Sequence, residues 1–372
     1  MPKKLILVIG GGAAGHQIAY QLRDVAKVTL VDPKTYWEIP MAVPRLLVES
    51  DALAARIPYA SFLNNSEHIQ GRVTALTDSH AKVKLSDDLE KEVAFDYAVI
   101  ASGSASLDPI IKAQASTEAE RAAELKAMNT RLRTARSVVI VGAGPVGVET
   151  AAELREWLPH VDVTLVHGEN RALAKAPSKF ADWAEKYLSG KGVKLVLGET
   201  VTSPSISTQP EDGRVVTSSG RVLQAEVVIW AAGTRPVTTF VANSWSDVVQ
   251  PNGLVRVDPY LRVVGHSTIF AVGDVTNLPE NRLAIVAGLH VKSVVGNLKR
   301  LIAAETPSQT KLKAYKPALP GKGIGKLMIV SLGRTDGLTS LPFGQFRASF
   351  LARKIKSHDL LVGMSRKAVG LK

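Results

Sequence analysis

LILVIGGGAAG at residues 5–15 and SVVIVGAGPVG at residues 137–147 decide the fold of this 372-residue chain. Each stretch joins an apolar run, typical of a buried parallel strand, to a glycine loop of the form G-x-G-x-x-G. The first glycine of such a loop permits a tight turn, the second lets the backbone approach a pyrophosphate, and the third lets helix and strand pack closely. Two such loops predict two bound dinucleotides and suggest electron transfer between them.

A second strand follows each loop and its helix. In the first unit this strand ends at Asp32, where a carboxylate can accept hydrogen bonds from both hydroxyls of an adenosine ribose. In the second unit the strand at residues 161–166 is followed by His167, so the expected acid is missing. Either Glu169 reaches back to the ribose, or Arg171 binds a 2′-phosphate. NADH and NADPH therefore both stay open as the nucleotide.

Further apolar strands close each unit and end in glycine, at Gly103 and Gly233. Another short strand ends at Gly273 and Asp274. We expect the Asp274 carboxylate to accept a ribityl hydroxyl of a flavin, and the helix predicted at residues 283–301 to direct its N-terminus at the flavin ring. Asp274 would also suit a helix N-cap.

The chain contains no cysteine, which excludes a redox cysteine pair or a peroxide-reducing thiol. Electrons must therefore pass from the flavin directly to an acceptor. No apolar run is long enough for a transmembrane helix. The start Met1-Pro2-Lys3-Lys4 leaves no room for a cleaved signal, and Pro2 excludes N-myristoylation, so we expect a cytoplasmic protein.

Positive charge is concentrated at the C-terminal end. Residues 311–372 contain thirteen Lys or Arg and two acids, a net charge of +11 out of +12 for the chain. From Phe343 to Lys356 the spacing of apolar and basic residues predicts an amphipathic helix that can bind an anionic membrane surface. Alternatively, the aromatic side chains pack this segment on the body of the protein. Nucleic-acid binding is not expected, because no reader module accompanies the charge.

Several motifs together resemble one family. They are GPVGVE at residues 144–149, AGLH at 287–290, AYKP at 314–317, LGRTDG at 332–337 and KSHDL at 356–360. With the two loops, they resemble FAD/NAD-linked reductases of the glutathione-reductase structural class. Within that class the chain is similar to the apoptosis-inducing-factor-like and ferroptosis suppressor protein family of FAD-dependent NAD(P)H:quinone oxidoreductases, which is related to type II NADH dehydrogenases. Residues 37–45 replace the redox-cysteine loop of the disulfide reductases.

The predicted fold is α/β, with two Rossmann-like dinucleotide-binding domains and a small basic C-terminal α+β domain. The FAD-binding domain is predicted at residues 1–108 and 257–304, and the NAD(P)H-binding domain at residues 109–256. Residues 305–372 form the basic domain on the membrane and quinone side.

The resemblance implies roles for particular residues. Glu149 would approach nicotinamide and flavin, Lys356 would be a cation near the flavin, and His290 would donate a proton to the acceptor. No metal site is expected. The residues implied to bind FAD are Gly10, Gly11, Gly12, Ala13, Ala14, Gly15, Asp32, Arg45 at the diphosphate, Val73 at the adenine, Gly103, Gly273 and Asp274. Those implied to bind NAD(P)H are Gly142, Gly144, Pro145, Val146, Gly147, His167 and Gly233.

The resemblance also implies an activity. A hydride would pass from NAD(P)H to FAD, and two electrons would then reach a ubiquinone or vitamin K type quinone. The resemblance also suggests that the flavin is modified to 6-hydroxy-FAD. The quinol product would act as a radical-trapping antioxidant in lipid. Predicted partners are the quinone, the surface of a lipid droplet, plasma membrane or mitochondrial outer membrane, and a second copy in a homodimer. Two alternatives stay open: a reductase of a small acidic electron carrier, and a flavin-bound binding protein without enzymatic activity.

Overall fold

The computed structural model describes residues 2–50, 54–205, 209–319, 322, 326–347 and 358–371. It contains two sheets with parallel cores, as the sequence predicts, and smaller antiparallel sheets. Strands and helices are numbered here in chain order, and short 3-10 turns are left unnumbered. The elements up to residue 106 are β1 (Leu5–Ile9), α1 (Gly15–Leu22), β2 (Lys27–Asp32), β3 (Tyr36–Glu38), α2 (Val43–Leu46), β4 (Arg56–Pro58), β5 (Ser66–Leu76), β6 (His80–Leu85), β7 (Glu90–Ala94), β8 (Tyr97–Ile100) and β9 (Ser104–Ser106).

The middle of the chain forms the second unit. Its elements are α3 (Glu118–Thr134), β10 (Ser137–Val141), α4 (Pro145–Trp157), β11 (Asp162–His167), α5 (Ser178–Gly190), β12 (Lys194–Leu197), β13 (Val201–Ser203), β14 (Arg214–Thr217), β15 (Val222–Gln224), β16 (Val227–Trp230) and β17 (Thr234–Pro236). The remaining elements are α6 (Thr239–Ser244), β18 (Ile269–Ala271), α7 (Ala284–Ala303), β19 (Met328–Leu332), β20 (Asp336–Leu341), β21 (Gly344–Phe346) and α8 (Val362–Lys367).

The first sheet has the strand order β18-β8-β1-β2-β5-β6-β7. The strands from β18 to β5 are parallel, and β6 and β7 extend the sheet with antiparallel pairing. Both faces of β1 are buried: Ile6 and Val8 pack in one apolar cluster, and Leu7 and Ile9 pack in another. Burial on two faces explains why this strand is apolar throughout instead of alternating with polar residues.

The second sheet is parallel, with the order β12-β11-β10-β16. An antiparallel three-stranded sheet, β13-β14-β15, lies between β12 and β16 in the chain. The two units are joined by a ribbon in which β9 pairs with β17. This ribbon begins directly after Gly103 and Gly233, which both have positive φ angles, +64° and +72°.

The segment after β17 packs on the first unit, which corrects the predicted boundary at residues 256 and 257. Phe240, Val241 and Val248 are buried in the same cluster as Leu7 and Ile9 of β1, and α6 lies against β5. The apolar side chains of this segment thus have their partners in the first sheet. The chain returns to the first unit soon after β17.

The C-terminal region forms a three-stranded antiparallel sheet, β19-β20-β21, that packs on α4. Val330, Leu332 and Leu338 join the main core cluster. The predicted amphipathic helix is wrong at its beginning, because Phe343 lies in the turn before β21. Pro342 and Gly344 occupy the second and fourth positions of that turn, which these residue types favour. The rest of the predicted helix, residues 348–356, lies outside the described residues.

Candidate functional site

The first glycine loop has the geometry of a phosphate cradle. Gly10 has a φ of +93°, and a Cβ at Gly15 would lie 1.7 Å from the carbonyl oxygen of Gly10. A Cβ at Gly12 would meet no atom within 4 Å. The outer glycines are therefore required by the turn and its packing, whereas the middle one leaves open space beside the backbone. Ala13 and Ala14 lead into α1, which begins without a side-chain cap on its N–H groups.

The second loop repeats this geometry. Gly142 has a φ of +108°, a Cβ at Gly147 would lie 1.8 Å from the carbonyl oxygen of Gly142, and Gly144 again faces open space. Pro145 occupies the first turn of α4, where its missing N–H costs nothing, and Val146 follows it. Because two independent segments reach the same arrangement, both loops fit a dinucleotide diphosphate at a helix N-terminus.

Asp32 lies at the C-terminal end of β2 and is almost fully buried. Its carboxylate accepts hydrogen bonds from the backbone N–H groups of Gly11, at 2.6 Å, and Lys34, at 2.8 Å. The acid therefore lies directly beside the first loop, where the sequence predicts the ribose. Strand β5 runs parallel to β2, with Gln70 paired to Asp32. Val73 follows Gln70 on the same strand.

Two buried ring nitrogens near the first loop are available to bind a ligand. His16 donates from Nδ1 to the carbonyl of Gly12 at 2.6 Å and stacks on Trp37 with ring centroids 3.6 Å apart. Burial lowers the pKa of His16 to about 4. Among the described residues, Nε2 of His16 and Nε1 of Trp37 have no hydrogen-bond partner. Buried polar atoms normally have partners, so a ligand at this loop would supply them. Sequence reasoning missed both residues.

Asp274 lies in a cluster with Ser104 and Lys112. Its Oδ2 accepts a hydrogen bond from Oγ of Ser104 at 2.6 Å and lies 3.6 Å from Nζ of Lys112. Lys112 also donates to the Ser104 carbonyl at 2.7 Å and hydroxyl at 2.6 Å. Burial lowers the pKa of Lys112, and the Asp274 carboxylate opposes that shift. The structure thus adds a cation that sequence reasoning missed.

His290 lies on α7 and is buried, with both ring nitrogens in hydrogen bonds. Nδ1 accepts from the backbone N–H of Gly273 at 2.9 Å, so Nε2 carries the proton and donates to Glu280 at 2.8 Å. Glu280 also accepts from Tyr315 at 2.7 Å and from the N–H of Ala318. This geometry makes His290 a link between Asp274's loop and the 315–318 segment. Its predicted role as a proton donor to the acceptor stays a prediction.

A cavity of about 190 Å³ opens beside the second loop. It lies at the C-terminal ends of β10, β11 and β16, where parallel sheets bind their ligands. Its lining includes Gly142, His167, Glu199, Trp230 and Gly233. The structure therefore brings together the predicted nucleotide-binding residues Gly142, His167 and Gly233 around one space.

The charges near this cavity bear on the choice of nucleotide. Burial lowers the pKa of His167, with Glu169 opposing the shift, and so favours the neutral imidazole. Arg171 forms ion pairs with Asp182 and Glu185 on α5. Neither residue offers an unengaged positive charge to a 2′-phosphate.

Glu149 and Glu153 are buried carboxylates one turn apart on α4. Glu149 accepts two hydrogen bonds from Ser331 of β19. Glu153 accepts from Arg45 at 2.7 and 3.1 Å. Burial raises the pKa of Glu153, and Arg45 opposes that shift. Arg45 thus pairs with a protein carboxylate, and its predicted contact with the FAD diphosphate stays a prediction.

Lys356 lies outside the described residues, so its predicted place near the flavin stays a prediction. Within the part of the chain that the structure describes, no group of three or more His, Asp or Glu residues is arranged to hold a metal ion. No helix in that same part has the length and apolar character needed to cross a bilayer.

The fold and the two cradles define a class, the oxidoreductases that bind two dinucleotides. The chain belongs to the pyridine nucleotide-disulphide oxidoreductase family, whose sequence profile matches residues 4–290. The absence of cysteine sets it apart from members that use a redox cysteine pair.

The chain is similar over nearly its whole length to several known proteins. Apoptosis-inducing factor homolog B of Dictyostelium discoideum is 29% identical, over 97% of this chain and 95% of that protein. Ferroptosis suppressor protein 1 of Xenopus tropicalis is 29% identical, over 98% and 96%. The solved structure of the sulfide:quinone oxidoreductase of Aquifex aeolicus has a TM-score of 0.75 at 19% identity, covering 98% of this chain and 92% of that one.

These similarities confirm the predicted family and the α/β fold. The activity class is therefore that of an NAD(P)H-dependent flavin oxidoreductase, with FAD and a nicotinamide dinucleotide as its cofactors.

Proposed function

We propose that this chain is an NAD(P)H:quinone oxidoreductase that works at a membrane surface. The observation that supports this most is the presence of two glycine cradles of the same geometry in a chain without cysteine. Two dinucleotides can bind, and no thiol can receive the electrons. The similarity to ferroptosis suppressor protein 1, and to an enzyme named for its reaction with a quinone, supports a quinone as the acceptor.

The first unit would hold FAD, which when bound accepts a hydride from NAD(P)H and passes two electrons to an acceptor. Residues 10–15 would bind the diphosphate, Asp32 the adenosine ribose, and Asp274 the ribityl chain. Lys112, which bonds Ser104 and lies near Asp274, would add positive charge beside the ribityl chain. The N-terminus of α7 has no side-chain cap, so its N–H groups could donate hydrogen bonds to a partly negative oxygen of the flavin ring.

The second unit would bind and orient the nucleotide. Gly142, Gly144 and the N-terminus of α4 would hold its diphosphate, and the cavity beside His167 and Gly233 would hold the adenosine. Glu149 follows the loop on α4 and would orient the nicotinamide. In the full reaction, NAD(P)H, a proton and the quinone give NAD(P)⁺ and the quinol, which would trap radicals in lipid.

The tip of the C-terminal sheet would contact the membrane. Phe343 is 79% exposed, and its ring centroid lies 6.0 Å from that of Phe346. These aromatic rings protrude from a region whose net charge is +11 over residues 311–372. Apolar side chains surrounded by basic residues favour the headgroup region of an anionic bilayer.

An anaerobic titration of the yellow protein with NADH and with NADPH, followed by a short-chain ubiquinone, tests the proposal. We expect the flavin absorbance to be bleached by the nucleotide and restored by the quinone. Restoration by an acidic iron-sulfur protein but not by quinone would favour the reductase of an electron carrier. Failure of both nucleotides to bleach the flavin would favour a binding protein without enzymatic activity.

The roles of Lys356 and of 6-hydroxy-FAD are also part of this proposal. Lys356→Ala should lower quinone turnover while FAD stays bound, because a nearby cation stabilises negative charge that develops during electron transfer. The absorption spectrum and mass of the extracted cofactor would show whether the flavin is hydroxylated. Equal turnover of Lys356→Ala and the parent protein would remove this residue from the site.

A further inference from the structure

The C-terminal sheet contacts Glu149 directly. Ser331, in the middle of β19, donates hydrogen bonds to Oε1 of Glu149 from its backbone N–H, at 2.8 Å, and from its Oγ, at 3.0 Å. Both residues are buried, Ser331 at 0% and Glu149 at 3% exposure. Hydrogen bonds to an ionised carboxylate are roughly twice as strong as neutral ones. The carboxylate is thus oriented by a residue that lies 182 positions further along the chain.

The position of Ser331 in its sheet explains this contact. Strand β19 is the outer strand of the described C-terminal sheet and pairs with β20 on one side only. The edge of an outer strand presents backbone N–H groups without strand partners. Here α4 covers that edge, and the Glu149 carboxylate accepts the Ser331 N–H. The seryl hydroxyl adds a second donor to the same oxygen.

The neighbouring carboxylate has a different set of partners. Glu153 accepts two hydrogen bonds from Arg45, which also donates to the carbonyl of His358 at 2.8 Å. One segment of the C-terminal region, at Ser331, therefore bonds α4 directly, and a second segment, at His358, is linked to α4 through Arg45. This region does more than cover the core, because it bonds Glu149 on the helix that follows the second loop.

We propose that Ser331 is a positioning residue for Glu149. It holds the carboxylate in the direction needed to orient the nicotinamide, so the C-terminal sheet completes the hydride-transfer site. This inference rests on the proposed function, since it takes Glu149 to act on the nucleotide. Groups that position a reacting partner affect the rate more than the affinity, because small displacements change the alignment of the reacting atoms.

Three variants test the role. Ser331→Ala removes the hydroxyl donor and keeps the N–H, whereas Ser331→Thr restores a hydroxyl on a residue that strands favour. Ser340→Ala is the matched control: Ser340 lies on β20, is 1% exposed, and its hydroxyl has no hydrogen-bond partner among the described residues. In anaerobic stopped-flow mixing with NADH, we expect the limiting rate of flavin reduction to fall about tenfold in Ser331→Ala. The Kd for NADH should stay within about twofold. Ser331→Thr and Ser340→Ala should stay near the parent rate.

A second readout does not depend on turnover. Ser331→Ala should lower the midpoint of urea denaturation of the parent protein, because it removes a hydrogen bond to a buried charge. In a Glu149→Met background the acceptor is gone, so the same substitution should no longer lower the midpoint.

The outcomes separate this inference from the proposed function. A parent protein whose flavin neither NADH nor NADPH reduces would contradict the proposed function itself. With an active parent, a parental rate in Ser331→Ala would overturn the positioning role. An equal loss in Ser340→Ala, or a shift in midpoint that persists in the Glu149→Met background, would overturn it as well.

Discussion

Gly12 and Gly15 lie in the same loop but serve different purposes. A side chain at Gly15 would collide with the backbone of Gly10, whereas a side chain at Gly12 would enter open space. The same contrast holds between Gly147 and Gly144. Substitution at the middle glycine of each loop can therefore remove ligand binding without disturbing the fold.

Gly12→Val and Gly144→Val should separate the two sites. In Gly12→Val we expect loss of most of the bound FAD, because the side chain fills the space beside the backbone that approaches the diphosphate. In Gly144→Val we expect full FAD occupancy and at least a tenfold loss in kcat/KM for the nucleotide. Flavin absorbance per protein and steady-state kinetics measure the two effects. Loss of flavin in Gly144→Val, with retention in Gly12→Val, would reverse the assignment of the two cradles.

We expect His167 to influence the choice of nucleotide at the second site. Since burial favours its neutral imidazole and Arg171 forms ion pairs with Asp182 and Glu185, we expect the parent protein to prefer NADH. His167→Arg should raise the ratio of kcat/KM for NADPH to that for NADH by about tenfold, because a guanidinium pairs with the 2′-phosphate. His167→Gln is the uncharged control. A parent preference for NADPH, or an unchanged ratio in His167→Arg, would contradict this interpretation.

At the scale of secondary-structure elements, helix α7 is tied to two other segments through His290. Its imidazole accepts from Gly273 and donates to Glu280, which in turn binds Tyr315 and Ala318. Burial opposes ionisation of Glu280, but the hydrogen bonds from His290 and Tyr315 outweigh it and lower the pKa of that carboxyl below 4.5. The network holds the loop that carries Asp274 against the helix.

Glu280→Gln should reduce the free energy of unfolding by about 1–3 kcal/mol at pH 7, because charge-assisted hydrogen bonds are lost in a buried site. A carboxyl whose pKa is lower in the folded state stabilises the protein above its unfolded pKa, and this stabilisation is lost as the pH falls through the folded pKa. The difference between parent and variant should therefore shrink below pH 4.5. Urea denaturation at pH 7 and at pH 4 measures it. A difference that is independent of pH would contradict the role of the ionised carboxylate.

At the scale of the whole molecule, the C-terminal region has two surfaces. One packs on α4 through Val330 and Leu332, and the other presents Phe343 to solvent at the tip of the β20–β21 hairpin. The first surface contacts the helix that follows the second glycine loop, and we propose that the second surface contacts lipid. An acceptor with a lipid tail would then meet the protein on the side where this sheet protrudes.

Phe343→Ser should weaken binding to vesicles that contain anionic lipid by about tenfold, since transfer of a phenylalanine side chain from water contributes roughly 1.5–3 kcal/mol. Exposed Leu89, on the turn before β7 in the first unit, provides the matched control as Leu89→Ser. Vesicle sedimentation at low and high salt separates the apolar from the electrostatic contribution. Equal binding of Phe343→Ser and the parent would remove the hairpin from the membrane contact.

Much of the fold could be predicted from local sequence, because apolar runs and glycine loops act over short distances. The strands before each loop, the helices after them and the positions of Asp32 and Asp274 all follow this rule. The turn at Phe343 shows where pattern reasoning failed: the spacing suited a helix, but Pro342 and Gly344 favour a turn. The segment at Phe240 was assigned to the wrong unit because its apolar residues do not indicate which sheet they will cover.

The sequence by itself determined that two dinucleotides bind, that one acid lies at the end of β2, and that no thiol takes part. Each of these depends on residues close together in the chain or on composition. Only the tertiary structure decided that Ser331 bonds Glu149, that Arg45 pairs with Glu153, and that both nitrogens of His290 are engaged. Such contacts join distant segments, and their geometry depends on how α4, α7 and the C-terminal sheet pack around a common core.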